Sequence, residues 1–168
     1  MSKKLPDYDV LAAFYPATLG AEAVKQAIGG DVNQAHYKNT CIIRISQPLN
    51  YAGHLIPPDS KPFRTKLGKD KRWYGLRVDE FWDYMLRTYG KPIVHERRQK
   101  GKAIDAAKFS GIRGIIGFRL MFKDATGHFT LWDGSRLLYD GGYSNYFTNA
   151  SEAALWEAGT TRVFTAPV

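Results

Sequence analysis

One cysteine, Cys41, stands in the run Asn39-Thr40-Cys41-Ile42-Ile43-Arg44-Ile45-Ser46. Asn39 or Thr40 can cap a helix whose apolar positions are Ile42, Ile45 and Leu49. A cysteine just inside a helix N-terminus feels the positive end of the dipole and the unpaired amides, which favour its thiolate. The same run also fits a strand, and Pro48 opposes a long unkinked helix. Cys41 is therefore either a nucleophile or a small buried hydrophobe. A lone cysteine excludes an intramolecular disulfide and a four-cysteine zinc site.

A nucleophilic thiol needs a base to take its proton and a third group to orient that base. The sequence offers His36, His54, His95 and His128. His36 lies on the connection leading to Cys41, and His54 and His95 stand in loop-like or basic surroundings. His128 opens a strand over 128–132, where alternation sends Phe129 and Leu131 to the opposite face, so it is the best candidate base. The plain alternative is a hydrogen-bonded surface histidine. Asp140 follows His128 by twelve positions, after a turn around Asp133 and Gly134. A hairpin there returns the Asp140 carboxylate to the imidazole, whereas Asp133 lies about 17 Å along the strand at about 3.3 Å per residue. Asp140 is thus the expected orienting acid.

The elements that must position these groups follow from periodicity. Thr18 is expected to cap a helix running to about Ile28 and stopped by Gly29 and Gly30. Val78, Phe81, Trp82, Met85, Leu86 and Tyr89 recur at helical spacing before Gly90 and Pro92, which predicts a helix whose aromatic stripe is core. Residues 56–72, with Pro57, Pro58, Pro62, Gly68 and a run of lysines and arginines, read as an exposed basic loop, in the first instance a solvated surface. Arg97, Arg98, Lys100 and Lys102 read the same way. Beyond them, 115–122, 128–132, 136–139 and 162–165 are rich in β-branched and aromatic residues between glycines, which predicts an antiparallel sheet. Helices first and strands afterwards give an α+β class, and with no repeat or linker the expectation is one domain over 1–168.

The chain has 168 residues, 24 Lys plus Arg against 16 Asp plus Glu, a net charge of +8 and 14% aromatic residues. Such a surface favours an anionic partner: nucleic acid, lipid headgroups or an acidic polymer. The first ten residues hold no leader-like apolar run, and no stretch approaches the roughly 20 apolar residues needed to span a bilayer. Synthesis in the cytoplasm without membrane insertion is the expectation, and any role outside the cell would need an export route that reads no cleaved leader. A nucleic-acid-binding module is the rival class, but in Arg113-Gly114-Ile115-Ile116-Gly117-Phe118 aliphatic Ile115 takes the first stacking position of an RNA-recognition strand. Gly111-Ile112-Arg113-Gly114 matches a KH loop yet leads into a strand. His95-Glu96-Arg97-Arg98-Gln99 lacks the second histidine of a zincin, and no metal or cofactor is expected.

The cysteine run with Leu49 and Asn50, then Gly114-Ile115-Ile116-Gly117-Phe118, then Gly127-His128-Phe129-Thr130-Leu131-Trp132-Asp133-Gly134, resembles the fourth family of type VI secretion amidase effectors. The resemblance covers roughly residues 39–140, in the family's order. It implies a papain-like, NlpC-type fold with N-terminal helices on an antiparallel sheet, and the triad Cys41, His128 and Asp140. It implies hydrolysis of the γ-D-glutamyl to meso-diaminopimelate bond of peptidoglycan stem peptides in a rival's periplasm. The type VI secretion machinery would deliver the toxin and a cognate immunity protein would neutralise it. The Cys41 thiolate, paired with protonated His128, would attack the amide carbonyl. The Cys41 amide and the Asn39 side chain would hold the oxyanion, and Trp132 and the basic loop would contact the peptide. Papain-like acyltransferases share this triad chemistry and differ in acceptor. Many family members carry a C-terminal cysteine pair that is absent here, so the resemblance does not extend to a disulfide-dependent loop near the substrate groove.

Overall fold

The computed structural model describes residues 1–120 and 126–160. Two short helices, α1 (Tyr8–Phe14) and α2 (Ala21–Ile28), precede α3 (Cys41–Tyr51). A small hairpin, β1 (Thr65–Leu67) and β2 (Trp73–Gly75), leads into α4 (Val78–Tyr89). The remaining strands are β3 (Val94–Arg97), β4 (Gly114–Arg119), β5 (Gly127–Trp132) and β6 (Glu152–Glu157), with one turn of helix, α5 (Tyr146–Asn149), before the last. The four form an antiparallel sheet in the order β3-β6-β4-β5, so β5 is an edge strand. The α+β class expected from the sequence is the one observed.

Cys41 opens a helix, which settles the helix-or-strand ambiguity, and the helix continues through Pro48. It is buried almost all round. Ile42, Ile45 and Leu49 meet the main core while Ile43 meets α2 through Val24 and Ile28. A helix with so little exposed surface draws its stability from tertiary packing. Its polar residues are consumed internally as well. Ser46 Oγ donates to the Ile42 carbonyl and accepts from the Gly75 N–H (3.0 Å), while Asn50 donates to the Trp73 carbonyl (2.7 Å) and accepts from the Ile56 N–H (2.8 Å). These bonds fasten the β1–β2 hairpin to α3.

The main core lies between one face of the sheet, with Ile115, Phe129, Leu131, Ala154 and Trp156, and helices α3 and α4. From α4, Phe81 and Trp82 meet the Phe129 ring edge-on at 4.9 and 5.5 Å between centroids, and Trp82 meets Trp156 at 5.8 Å. Asp79 and Glu80 in its first turn and Arg87 in its last suit the helix dipole, and Gly90 at φ 76° ends it. Leu86, expected in the stripe, lies at its margin and is 41% exposed. A second cluster covers the other sheet face with Ile116, Phe118, Trp132, Leu155 and Phe109.

Four sequence expectations are corrected. The residue before α2 is Gly20, not a capping Thr18. Residues 56–72 are not wholly an exposed loop, because they contain β1, whose Thr65 is buried, as is Phe63 just before it. His95 lies on β3, where it pairs with Glu152, rather than in a loop. Residues 136–139 form no strand, only the bridge from Leu137 to Trp132, since the Asp133 side chain binds the Ser135 and Arg136 amides and turns the chain too tightly for a ladder. The end of one expected strand, 121–122, and the whole of another, 162–165, lie outside the described residues.

Gly117 pairs with Phe129, and a Cβ there would come within 2.5 Å of the Phe129 ring. That ring is wedged between Phe81 and Trp82, so it has no room to yield. Gly117→Ala is expected to cost about 1–3 kcal/mol and lower the melting temperature by roughly 2–10 °C. Calorimetry of the variant checks this, and an unchanged melting temperature would contradict the packing described.

Candidate active site

The site forms where the N-terminus of α3 meets the outer edge of β5. Asn39 joins the two: its Oδ1 accepts the Cys41 N–H (3.0 Å) and its Nδ2 donates to the Gly127 carbonyl (3.5 Å). The Cys41 thiol in turn takes a hydrogen bond from the Phe129 backbone, one residue beyond His128. The Cys41 thiol is thus held against the β5 backbone next to His128, the two residues expected from the sequence to be nucleophile and base. The Asn39 oxygen already holds the Cys41 amide, so in this conformation neither is a free oxyanion donor.

His128 Nε2 lies 2.8 Å from the Tyr139 carbonyl oxygen. A carbonyl only accepts, so Nε2 carries the proton and Nδ1 is the basic nitrogen. The imidazole stacks on Tyr146 at 4.6 Å and 15°, and Tyr146 donates its hydroxyl to the Asp140 backbone carbonyl (2.7 Å). The Asp140 carboxylate points elsewhere: it is exposed, accepts the Gly142 N–H (2.8 Å) and reaches His128 only through its charge. The group hydrogen-bonded to the His128 imidazole is therefore the Tyr139 backbone carbonyl, one residue before Asp140, the residue expected there. The returning chain presents Tyr139's carbonyl inward and Asp140's side chain outward.

Tyr139 is held from two further sides. Its N–H donates to Thr130 Oγ1 (3.2 Å), which also bonds the Tyr15 hydroxyl (2.8 Å), and its ring lies under the Arg44 guanidinium at 3.5 Å. Arg44 is fully buried one turn into α3. It donates to the Pro16 and Leu19 carbonyls and to Thr40 Oγ1 (3.5 Å), and its Nε has no hydrogen-bond partner. A buried cation is tolerated only with such partners. Arg44 thereby couples α3, the helix that Cys41 opens, to Tyr139, whose carbonyl accepts from His128.

Cys41 and His128 are only 2% and 5% exposed, and burial dominates their titration. It pushes the Cys41 thiol up to about 11, against the hydrogen bonds from Phe129, Ile42 and Asn39 and the Arg44 charge. It pushes His128 down to about 4, with Arg44's charge adding to the fall and the Tyr139 carbonyl and Asp140 opposing it. The resting pair is neutral thiol and neutral imidazole. The lowered thiol pKa expected from the helix N-terminus is not what burial leaves, because desolvation outweighs the dipole.

The remaining sequence candidates fall elsewhere. Trp132 is buried in the second cluster and donates its indole N–H to the Phe109 carbonyl (2.9 Å), so it offers no face to a substrate. His54 bonds the Tyr89 hydroxyl (2.8 Å), and His36 packs on Tyr37. Three site residues escaped sequence reasoning. Arg44 had a faint signal, one helical turn from Cys41, whereas Tyr139 acts through a carbonyl that every residue possesses and Tyr146 through a stack that only folding brings about.

An antiparallel sheet flanked by helices, with a cysteine at a helix start against a histidine on a strand, defines a papain-like, NlpC-type protein, and solved structures agree. Tae4 from Salmonella typhimurium, solved with the immunity protein Tai4 from Enterobacter cloacae, superposes with a TM-score of 0.78 at 28% identity, over 92% of this chain and 99% of that one. Tae4 from Enterobacter cloacae, in complex with Tai4, gives 0.78 at 30% identity over 92% and 99%. The same effector without its partner gives 0.78 at 30% over 95% and 100%. No curated protein sequence matches. The profile of type VI secretion system amidase effector protein 4 matches residues 37–156, and the chain belongs to this Tae4 family of antibacterial amidases, which are delivered to target cells and act on peptidoglycan.

Because folded His128 stays neutral down to about 4 while the unfolded chain takes up a proton near 6.5, acid favours unfolding. Stability should fall by about 3 kcal/mol as pH drops through that window, at 1.36 kcal/mol per pKa unit. In His128→Gln this part of the acid slope should vanish, as urea titrations from pH 7 to 4 would reveal. An identical slope in the variant would mean that the imidazole is not buried neutral.

Proposed function

We propose that the protein is a cysteine amidase that hydrolyses the γ-D-glutamyl to meso-diaminopimelate bond of stem peptides. One observation carries this: the Cys41 thiol lies against β5 beside His128, whose Nε2 is tied to the Tyr139 carbonyl, leaving Nδ1 to receive the thiol proton. The proton passes from Sγ to Nδ1 as sulfur attacks the amide carbonyl, so no charged pair has to persist in the buried resting site. The imidazolium then protonates the departing amine of diaminopimelate. Water, deprotonated by the same nitrogen, cleaves the thioester, releasing a carboxylate and restoring the thiol. Asn39 would free the Cys41 amide for the oxyanion by turning its carboxamide away.

Delivery into a rival's periplasm, where peptidoglycan lies, and neutralisation by an immunity protein like Tai4 complete the reading. Its support is the family membership and the partners of the similar solved effectors. A single catalytic domain over the whole chain belongs to the same proposal.

Mass spectrometry of Gram-negative peptidoglycan incubated with the protein should show new fragments ending in D-glutamate, and none with Cys41→Ala. Undigested peptidoglycan with a folded wild-type protein would reject the assignment. In the same assay His128→Ala should lower kcat by about 10²–10⁴-fold, the range of general acid–base catalysis. Asp140→Asn should lower it by less than about tenfold, equivalent to 1.36 kcal/mol, because that carboxylate acts on the imidazole through charge alone. A loss in Asp140→Asn as deep as in His128→Ala would return the orienting role to the carboxylate.

A further inference from the structure

A cavity of about 660 Å³ opens beside Asn39, walled by 36–39, by the hairpin segment 59–66 and by Leu76 and Arg77. Lys38, Lys61, Arg64, Lys66 and Arg77 line it, against one carboxylate, Asp59. That carboxylate accepts the Thr65 N–H (2.9 Å). Of the five cations, Arg77 alone has an acidic side chain within 4 Å among the described residues, Glu80 at 3.8 Å. Cations gathered around a concavity repel one another unless an anion enters, and the concavity focuses their field. Of the two sequence readings of this loop, solvated surface and peptide contact, that geometry favours the second.

The cavity also belongs to the same rigid frame as the nucleophile. One wall runs directly into Cys41, with Asn39 both lining the cavity and binding the Cys41 amide. The hairpin that carries Arg64 and Lys66 is bolted to α3 through Ser46 and Asn50. A ligand seated among these cations is therefore registered against the thiol.

We infer that this basic cavity is a carboxylate-recognising subsite that seats the free carboxylates flanking the scissile amide of the substrate. The inference rests on the proposed amidase reading. A γ-linked glutamate keeps its α-carboxylate, and diaminopimelate adds a carboxylate of its own, so the substrate brings two anionic groups close to the cleaved bond. The volume suits a short peptide segment. Recognition of this kind would distinguish stem peptides with free acids from those carrying amides at the same positions.

The test compares stem peptides with a free or an amidated glutamate α-carboxyl group. Wild-type protein should prefer the free acid by about tenfold or more in kcat/KM, expressed mainly in KM, because the charges act in binding. Lys38→Gln/Lys61→Gln/Arg64→Gln, three exposed positions, should narrow the preference to about twofold and flatten the salt dependence of KM. Lys61→Arg, which keeps the charge, should preserve it. Equal use of both peptides by the wild type, or an intact preference in the triple variant with an unchanged melting temperature, would overturn the inference. If the wild type cleaves neither peptide, the amidase reading fails by itself. The subsite is then judged by calorimetry of free-acid peptide binding to Cys41→Ala, where binding weakened by the three substitutions upholds it and no binding rejects it.

Discussion

The docking of the α3 N-terminus against the edge of β5 is the constraint on which the rest of the site depends. An edge strand leaves backbone groups without a neighbouring strand, and a helix start leaves amides without intrahelical acceptors. Here each supplies what the other lacks: Asn39 bridges the Cys41 amide and the Gly127 carbonyl, and the thiol receives a bond from the Phe129 backbone. The sheet core behind Phe129 holds the strand in register, so His128, its neighbour in sequence, lies next to the point where the thiol meets the strand. Polar satisfaction and the geometry of the candidate site are one arrangement.

That junction sits in a dry interior, and this decides its electrostatics. Helix dipole, hydrogen bonds and the Arg44 charge all favour a Cys41 thiolate, yet burial prevails and keeps both partners neutral. Arg44 acts more through geometry than through charge. It is anchored by three oxygens and stacked on Tyr139, and so fixes the residue whose carbonyl selects the His128 tautomer. A backbone carbonyl is a suitable orienter in this setting, because it adds no second charge to a desolvated site.

The surface around this interior has the opposite character. Next to Asn39 the chain gathers cations around a cavity partly walled by a hairpin segment pinned to α3, so the buried candidate site and the charged surface beside it share one scaffold. A neutral, dehydrated centre suits proton transfer in step with bond formation, while an exposed basic cavity suits capture of an anionic polymer from water.

Sequence alone determined what local chemistry can encode. The aromatic spacing from Val78 to Tyr89 marks a helix and its buried face, the alternation through Phe129 and Leu131 marks a strand, and Cys41 and His128 stand in motifs whose family the comparisons bear out. Tertiary structure alone decided the partners of those residues. Asp140 looks from spacing like the acid beside His128, but the Asp133 turn sends its side chain outward and Tyr139's carbonyl inward. Helix position suggests an activated thiol, but desolvation depends on everything packed around Cys41 and reverses the sign. Trp132 could have faced a substrate or a core, and the order of strands chose the core. Periodicity and residue type are properties of a few neighbouring positions, whereas burial, tautomer and carbonyl direction are summed over segments that meet only when the chain is folded.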